Sequence, residues 1–259
     1  MVSVALARDG VEVHLNTRVV NVRVEGGRKC VETVNDGNVA TITVDQILTG
    51  IGRVPAVDGL GLEAAGVAYD AESGIRVDDF LRTTNPRIYA AGDVCLEHKF
   101  TDTADASARI VVRNALFFGR QRVSKLTIPW CTYTDPEIAH VGIYVRQARE
   151  RGIPVKTFTV PMHDVDRAIA DGEEEGFVKI HVREGSDKIL GATIVARHAG
   201  DMINGITLAM VAGIGLATVA RVIHTYPTQA EAIKQAADAY NRTRLTPWIA
   251  RLLLWWVRR

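Results

Sequence analysis

With 259 residues, the chain can hold one large domain or two ordinary ones. Its formal net charge of +1 gives no reason to expect a polyanionic partner, so we predict no nucleic-acid binding. The three cysteines, Cys30, Cys95 and Cys131, lie far apart, without metal-ligand spacing or a redox pair. We therefore expect no metal site and a reducing, cytoplasmic location. The sequence shows neither a secretory pattern at its N-terminus nor an uncharged apolar run long enough to span a membrane.

Alternation of apolar and polar residues predicts short strands in the first third of the chain. A helix over residues 2–7 is expected to end at Asp9-Gly10, because glycine favours the position after a helix end. Residues 60–66 favour a short helix that stops at Gly66. The strands are predicted over residues 11–15, 20–24, 39–44 and 75–78.

The most informative stretch is Thr83 to Val94, with the sequence TTNPRIYAAGDV. After the turn at Asn85-Pro86, the apolar residues 88–91 predict one buried strand. Gly92-Asp93 follows at the carboxyl end of this strand, which is where open α/β sheets bind ligands. An ionised aspartate only accepts hydrogen bonds, so Asp93 either binds a ligand hydroxyl or caps the following helix. The residues alone leave both alternatives open.

A long helix is predicted over residues 104–118, with Thr101 or Asp102 as its N-cap. The basic loop at residues 119–125, GRQRVSK, is expected to be a solvated domain boundary without a function. Gly213-Ile214-Gly215 is interpreted as a helix-ending turn. Later helices are predicted over residues 144–151 and 199–212 and up to about residue 241, and later strands over residues 155–160, 177–182 and 189–195.

Four stretches together resemble the class I pyridine nucleotide-disulfide oxidoreductases, flavoproteins that include mercuric reductases and dihydrolipoamide dehydrogenases. The stretches are TTNPRIYAAGDV (83–94), TGIGRVP (49–55), IPWCTYTDPEIAHV (128–141) and YPTQAE (226–231). The resemblance implies the C-terminal half of such an enzyme. Its fold would be an α/β remnant of the nucleotide-binding domains, followed by an α+β interface (dimerisation) domain with an antiparallel sheet. The implied parts are the end of an NAD(P)-binding domain (1–52), part of an FAD-binding domain (53–125), the interface domain (126–247) and an amphipathic tail (248–259).

The resemblance also implies FAD and NAD(P)H as cofactors of the complete enzyme. In the family, the aspartate of the Gly-Asp pair binds the ribityl chain of FAD, which implies that role for Gly92 and Asp93. Gly52 stands where the family has a glycine beside the nicotinamide, and a plain interdomain turn is the alternative. The residues that match the helix N-terminus facing the flavin ring are Lys99, Phe100 and Thr101.

A second set of candidate residues lies in HTYPTQAE, residues 224–231. Disulfide-reducing members of the family have H-P-T-x-x-E here, with an acid–base histidine and a glutamate that orients it. Tyr226 replaces that histidine, Glu231 matches the glutamate, and His224 matches a further histidine of dihydrolipoamide dehydrogenases. A phenol with a pKa of about 10 is a poor base at neutral pH, so the resemblance favours mercuric reductases. The alternative for Glu231 is a capping box with Thr228.

Features of a complete enzyme are missing from the sequence, which has no G-x-G-x-x-G loop and no redox cysteine pair. We therefore expect a partial flavin site that binds no cofactor in this chain alone. A non-catalytic oligomerisation module and a dihydrolipoamide dehydrogenase-like reductase with its histidine replaced are the alternatives. We expect a homodimer, and a tail over residues 248–259 that packs against protein rather than lying on a membrane surface.

Overall fold

The computed structural model describes residues 1–245 together with Trp248, Arg251, Trp255 and Trp256. Contacts divide the chain into two compact units, one of residues 13–126 and the other of residues 1–12 and 127–259. The predicted amphipathic tail falls largely outside the described residues, and the predicted domain boundaries stay predictions. In the part of the chain that is described, no helix has the length and apolar character needed to cross a bilayer.

Both units contain helices and strands. The helices are α1 Val2–Arg8, α2 Thr101–Leu116, α3 Val145–Glu150, α4 Asp166–Asp171, α5 Ala199–Val211, α6 Leu216–Val219 and α7 Glu231–Arg242. The strands are β1 Arg18–Glu25, β2 Arg28–Asn35, β3 Asn38–Val44, β4 Tyr69–Asp70, β5 Gly74–Ile75, β6 Pro129–Thr132, β7 Glu137–Gly142, β8 Val155–Pro161, β9 Phe177–Arg183 and β10 Ile189–Ala196. Short 3-10 turns occupy Gly92–Val94, Val123–Lys125 and Met162–Asp164.

In the unit of residues 13–126, β1, β2 and β3 form an antiparallel sheet in chain order, and β4 pairs with β5. The predicted strands at residues 20–24 and 39–44 are confirmed as β1 and β3. The predicted strand at residues 11–15 is wrong. Side chains rather than a neighbouring strand satisfy the Leu15 carbonyl, which accepts bonds from Thr17 Oγ1 and Asn35 Nδ2, both at 3.0 Å.

A second correction in this unit concerns residues 60–66, which form a turn and not a helix. The Ala65 amide donates to the Gly61 carbonyl at 3.1 Å and the Gly66 amide to the Glu63 carbonyl at 3.0 Å, which closes the turn without continuing into a helix. Gly66 has φ +67, a left-handed conformation that ends the turn where the sequence predicts a stop. The strand predicted over residues 75–78 is shorter than expected, because only β5 at its start pairs with a neighbour.

The other unit is built on a five-stranded antiparallel sheet in the order β6-β7-β10-β9-β8. The strands predicted over residues 155–160, 177–182 and 189–195 are confirmed as β8, β9 and β10. Val178, Ile180 and Val182 of β9 alternate toward one face and are fully buried in the core there. Helices α5 and α7 contribute to the same core. Burying one face of the sheet in this way fixes its register.

Two buried histidines, His140 of β7 and His181 of β9, lie on the opposite face of this sheet, on strands that β10 separates. His140 Nε2 bonds to the Gly142 carbonyl at 3.1 Å, so that nitrogen carries the proton and Nδ1 accepts from Thr193 Oγ1 at 2.9 Å. His181 Nδ1 bonds to Thr157 Oγ1 at 2.8 Å. Burial lowers the pKa of His140 and lowers the pKa of His181 to about 4. Both rings are therefore neutral at physiological pH.

Candidate functional site

Residues 88–91 bring the chain to Gly92 in an extended conformation, but the strand predicted there is wrong. Tyr89 forms an isolated bridge with Arg82, and the Ala90 amide donates to the Leu81 carbonyl at 3.2 Å. Among the described residues, no strand pairs with the other edge of the segment. Its conformation therefore depends on one hydrogen-bonded edge rather than on a sheet.

Gly92 lies against the first turns of α2. Its φ of +74 favours glycine, and its amide donates to the buried Ser107 Oγ at 3.0 Å. A Cβ added at Gly92 would stand 3.0 Å from Ala104 Cβ. Both the backbone conformation and the close approach to the helix therefore require glycine at this position.

The carboxylate of Asp93 does not cap α2, whose N-cap is Phe100, so the capping alternative is wrong. Asp93 Oδ2 accepts a hydrogen bond from Arg53 Nη1 at 2.9 Å, and the same nitrogen donates to the Lys99 carbonyl at 3.2 Å. The Lys99 ammonium donates to the Leu96 carbonyl at 3.1 Å. The Asp93 side chain is 40% exposed, so it can accept further bonds from a ligand hydroxyl. Arg53 thus joins two of the predicted flavin residues.

The cap predicted at Thr101 or Asp102 is wrong, because Phe100 is the N-cap of α2 and has no side-chain oxygen. The first helical bond runs from the Ala104 amide to the Phe100 carbonyl at 2.9 Å. The amides before it have no carbonyl of their own helix to bond, as at any helix start. Thr103 Oγ1 in this first turn is buried and has no partner within the described residues. The helix start therefore offers donors and one unsatisfied hydroxyl.

Gly52 adopts φ +102, and a Cβ placed on it would meet no atom within 4 Å. Glycine is therefore required there by the backbone conformation and not by a close contact. Its position beside a nicotinamide stays a prediction.

In the other unit, Tyr226 is 68% exposed and donates its hydroxyl hydrogen bond to Asp166 Oδ2 at 2.9 Å. Asp166 is the first residue of α4. This hydrogen bond, together with the negative charges of Asp166 and Glu231, raises the pKa of Tyr226 above its ordinary value. The phenol is therefore held protonated at neutral pH and is not available as a base.

The structure does not join the three predicted catalytic residues by hydrogen bonds. His224 Nδ1 bonds to the Val222 carbonyl at 3.2 Å. Glu231 begins α7, and its Oε2 is buried with no partner among the described residues. Tyr226 bonds to Asp166 rather than to either of them.

The capping box at the start of α7 is also wrong. Ala230 is the N-cap, and Thr228 Oγ1 turns back to the Thr225 carbonyl at 2.8 Å. The buried Gln229 donates from Nε2 to Glu173 Oε2 at 2.9 Å, which fixes the turn before the helix. Its Oε1, like Glu231 Oε2, is a buried acceptor without a partner among the described residues.

Three residues of these arrangements are not among the sequence-based candidates. Ser107 accepts the hydrogen bond from the Gly92 amide, and Arg53 donates to Asp93. Asp166 accepts the hydrogen bond from Tyr226. The only sequence signal for Arg53 is its place beside Gly52 in TGIGRVP. Ser107 and Asp166 lie 15 and 60 positions from their partners, and no local pattern marks them.

Comparison with known proteins assigns the chain to a family. A family model described as pyridine nucleotide-disulphide oxidoreductase matches residues 1–110. The model of the dimerisation domain of pyridine nucleotide-disulphide oxidoreductases matches residues 128–237. The chain belongs to the pyridine nucleotide-disulphide oxidoreductases. This membership confirms the predicted resemblance and the predicted fold class of nucleotide-binding and dimerisation domains.

Several members of the family are similar to the chain over most of its length. A mercuric reductase of Streptomyces lividans is 37% identical over 234 residues, covering 90% of the chain and 49% of the relative. A dihydrolipoyl dehydrogenase of Thermus scotoductus is 32% identical over 240 residues, covering 92% of the chain and 52% of the relative. The chain therefore spans about half the length of these relatives.

Solved structures agree with this assignment. LpdA from Mycobacterium tuberculosis superposes with a TM-score of 0.83 at 29% identity, over 91% of the chain and 51% of LpdA. The HOCl-induced flavoprotein disulfide reductase RclA from Escherichia coli superposes with a TM-score of 0.82 at 28% identity, over 91% of the chain and 54% of RclA.

Proposed function

We propose that the complete protein is an FAD-dependent oxidoreductase that takes electrons from NAD(P)H, with this chain supplying part of the flavin site and the dimerisation domain. The observation that carries the proposal is the Gly92-Asp93 pair packed against the start of α2. It lies in the stretch that matches the oxidoreductase model.

The residues of this segment fit the polar groups of FAD. Asp93 would accept a hydrogen bond from a ribityl hydroxyl, and the first-turn amides of α2 would donate to carbonyl oxygens of the flavin ring. The buried Thr103 Oγ1, which has no partner in the described part of the chain, supplies a further polar group at the same helix start. Bound FAD would carry electrons from NAD(P)H to the acceptor.

We propose a mercuric reductase-like activity ahead of disulfide reduction, and Tyr226 supports this choice. Its phenol donates to Asp166, which raises the pKa further above its ordinary value, so it is a poor acid–base group for disulfide exchange near neutral pH. Because dihydrolipoyl dehydrogenases are among the similar proteins, a disulfide reductase is the second candidate.

Tyr226→His separates these two activities. The test uses a chimera of this chain and the Streptomyces lividans mercuric reductase. The chain replaces the region of that enzyme with which it aligns, and the rest of the enzyme is kept. We expect no gain with lipoamide or glutathione disulfide, because a histidine helps only where a thiol proton is exchanged in turnover. Tyr133→His, at another exposed tyrosine of the same unit, is the control. A gain of about a hundredfold or more on either substrate would favour a disulfide reductase.

We also propose a cytoplasmic homodimer that associates through the interface domain of residues 126–247. The match to the dimerisation domain supports this region. Leu208 and Val211 of α5 are 68% and 67% exposed, and such large apolar side chains are typical of stable interfaces.

Light scattering of the purified chain at micromolar concentration tests the proposed dimer. We expect a mass of about twice that of the chain, because buried apolar side chains dominate stable homodimer interfaces. Leu208→Asp should shift the protein toward monomer, and Val4→Asp, at an exposed apolar residue of the same unit, should not. A monomer mass for the unchanged chain would contradict the proposal.

A further inference from the structure

A pocket of about 370 Å³ lies beside the C-terminal end of α2, within the unit of residues 13–126. This volume is in the range of sites that bind small molecules. The pocket shares no residue with the proposed flavin site, and the basic loop at residues 119–125 supplies part of its wall. Besides Gly119, the lining residues are Phe80, Arg82, Tyr89, Asn114, Arg120 and Arg122.

Asp79 holds the basic loop in place. Its backbone carbonyl accepts a bond from the Val123 amide at 2.9 Å, and its carboxylate accepts from the amide and the hydroxyl of Ser124, each at 2.9 Å. The bond from the Ser124 amide contributes most to lowering the pKa of Asp79, so the carboxylate is ionised at neutral pH. The loop is therefore anchored to the unit, although most of its side chains are exposed to solvent as the sequence predicts.

The opposite end of the loop is fixed by Asn114 of α2. Asn114 Nδ2 donates to the Gln121 carbonyl at 2.8 Å, and Asn114 Oδ1 accepts from the Gln121 amide at 2.9 Å. The Gly119 amide donates to the Arg113 carbonyl at 3.0 Å, and a Cβ at Gly119 would stand 2.8 Å from that oxygen. These contacts form the wall without a ligand, so the pocket is preorganised.

The lining carries three positive charges and no negative charge. The guanidinium groups of Arg82 and Arg122 each lie 5.3 Å from the centre of the Phe80 ring, which orients them. Their ion-pair partners, Asp78 at 2.8 Å and Asp79 at 3.8 Å, are not lining residues. Arg120 forms no ion pair with any residue that the structure describes.

We propose that this pocket binds a phosphate-bearing small molecule, such as a nucleoside monophosphate. The planar forks of arginine match phosphate oxygens with paired hydrogen bonds, and several guanidinium groups converge here. Tyr89 and the arginine planes offer surfaces for a flat ring. A nucleotide and free phosphate share the phosphate chemistry, and the experiment separates them.

Isothermal titration calorimetry of the 259-residue chain with AMP, ribose 5-phosphate, inorganic phosphate and adenosine tests the site. We expect AMP to bind saturably, and less tightly as salt is added, because the attraction is between charges. Arg120→Gln should weaken AMP binding about tenfold by removing one charge-assisted contact. Arg76→Gln, which removes an exposed charge of the same unit outside the pocket, should leave the affinity unchanged.

Each outcome of the titrations either supports or overturns the proposed phosphate site. Binding of AMP much tighter than that of ribose 5-phosphate supports a nucleotide site. Equal binding of AMP, ribose 5-phosphate and inorganic phosphate supports a site for phosphate itself, provided that Arg120→Gln weakens the binding of all three. No saturable binding at millimolar AMP overturns the proposal, as does equal affinity of Arg120→Gln and the unchanged chain. Adenosine binding as tightly as AMP also overturns it. Arg82→Gln is the second variant, and thermal melting of each variant establishes that it is folded.

Discussion

Replacing Asp93 with alanine is expected to remove most of the FAD from the complete oxidoreductase. The Asp93 carboxylate is the charged acceptor at the end of the extended segment, and Arg53 holds it at 2.9 Å. Loss of a hydrogen bond to a charged group should weaken FAD binding about ten- to a hundredfold. The measurement is titration of the flavin-free chimera with FAD, together with the flavin absorbance of the protein as purified.

Two further variants separate the role of Asp93 from general effects of charge. Asp105→Ala removes an exposed carboxylate of α2, which pairs with Arg109. This variant should leave FAD binding unchanged. Arg53→Ala leaves the Asp93 carboxylate but removes its positioning partner, so a smaller loss is expected. Flavin content in Asp93→Ala equal to that of the unchanged protein would reject the role assigned to Asp93.

Gly74→Ala is expected to lower the free energy of unfolding of its unit by about 3 kcal/mol. Gly74 has φ +90, and a Cβ there would stand 2.1 Å from the carbonyl oxygen of Val94. That oxygen belongs to the turn that carries Gly92 and Asp93, so the substitution must displace the turn. The measurement is urea unfolding followed by far-ultraviolet circular dichroism.

Gly59→Ala is the matched control for this contact. Gly59 has φ +73, but a Cβ there would meet no atom within 4 Å. Its substitution therefore costs only the unfavourable left-handed conformation, about 1 kcal/mol. An equal loss of stability in Gly74→Ala and Gly59→Ala would show that the close approach of Val94 has no energetic consequence.

The sequence predicts strands β8, β9 and β10 of the five-stranded sheet well, because the burial of such strands follows a simple period. In β9, every second residue enters the core, and the resulting alternation is visible in the sequence. Alternation alone misleads at residues 11–15, which read as a strand but have no neighbouring strand to bond. A pattern specifies which face of a strand is apolar and does not supply its pairing partner.

The details of the candidate sites are harder to predict, because they depend on residues distant in the chain. The Arg53–Asp93 pair spans 40 positions and the Tyr226–Asp166 pair spans 60, and neither spacing has a local signature. Both predicted helix caps fail for a related reason. Phe100 and Ala230 occupy the N-cap positions although neither has a side-chain oxygen, so the local preference of threonine for the cap does not decide where these helices begin.

The flavin absorbance of the purified chimera tests the central claim most directly, namely that this chain supplies one part of a flavin site. We predict about one FAD per chain in the chimera and no stoichiometric FAD in the 259-residue chain alone, because the chain lacks a Gly-rich pyrophosphate loop. A chimera that is folded but purifies without flavin, and takes up none on titration, would contradict the account.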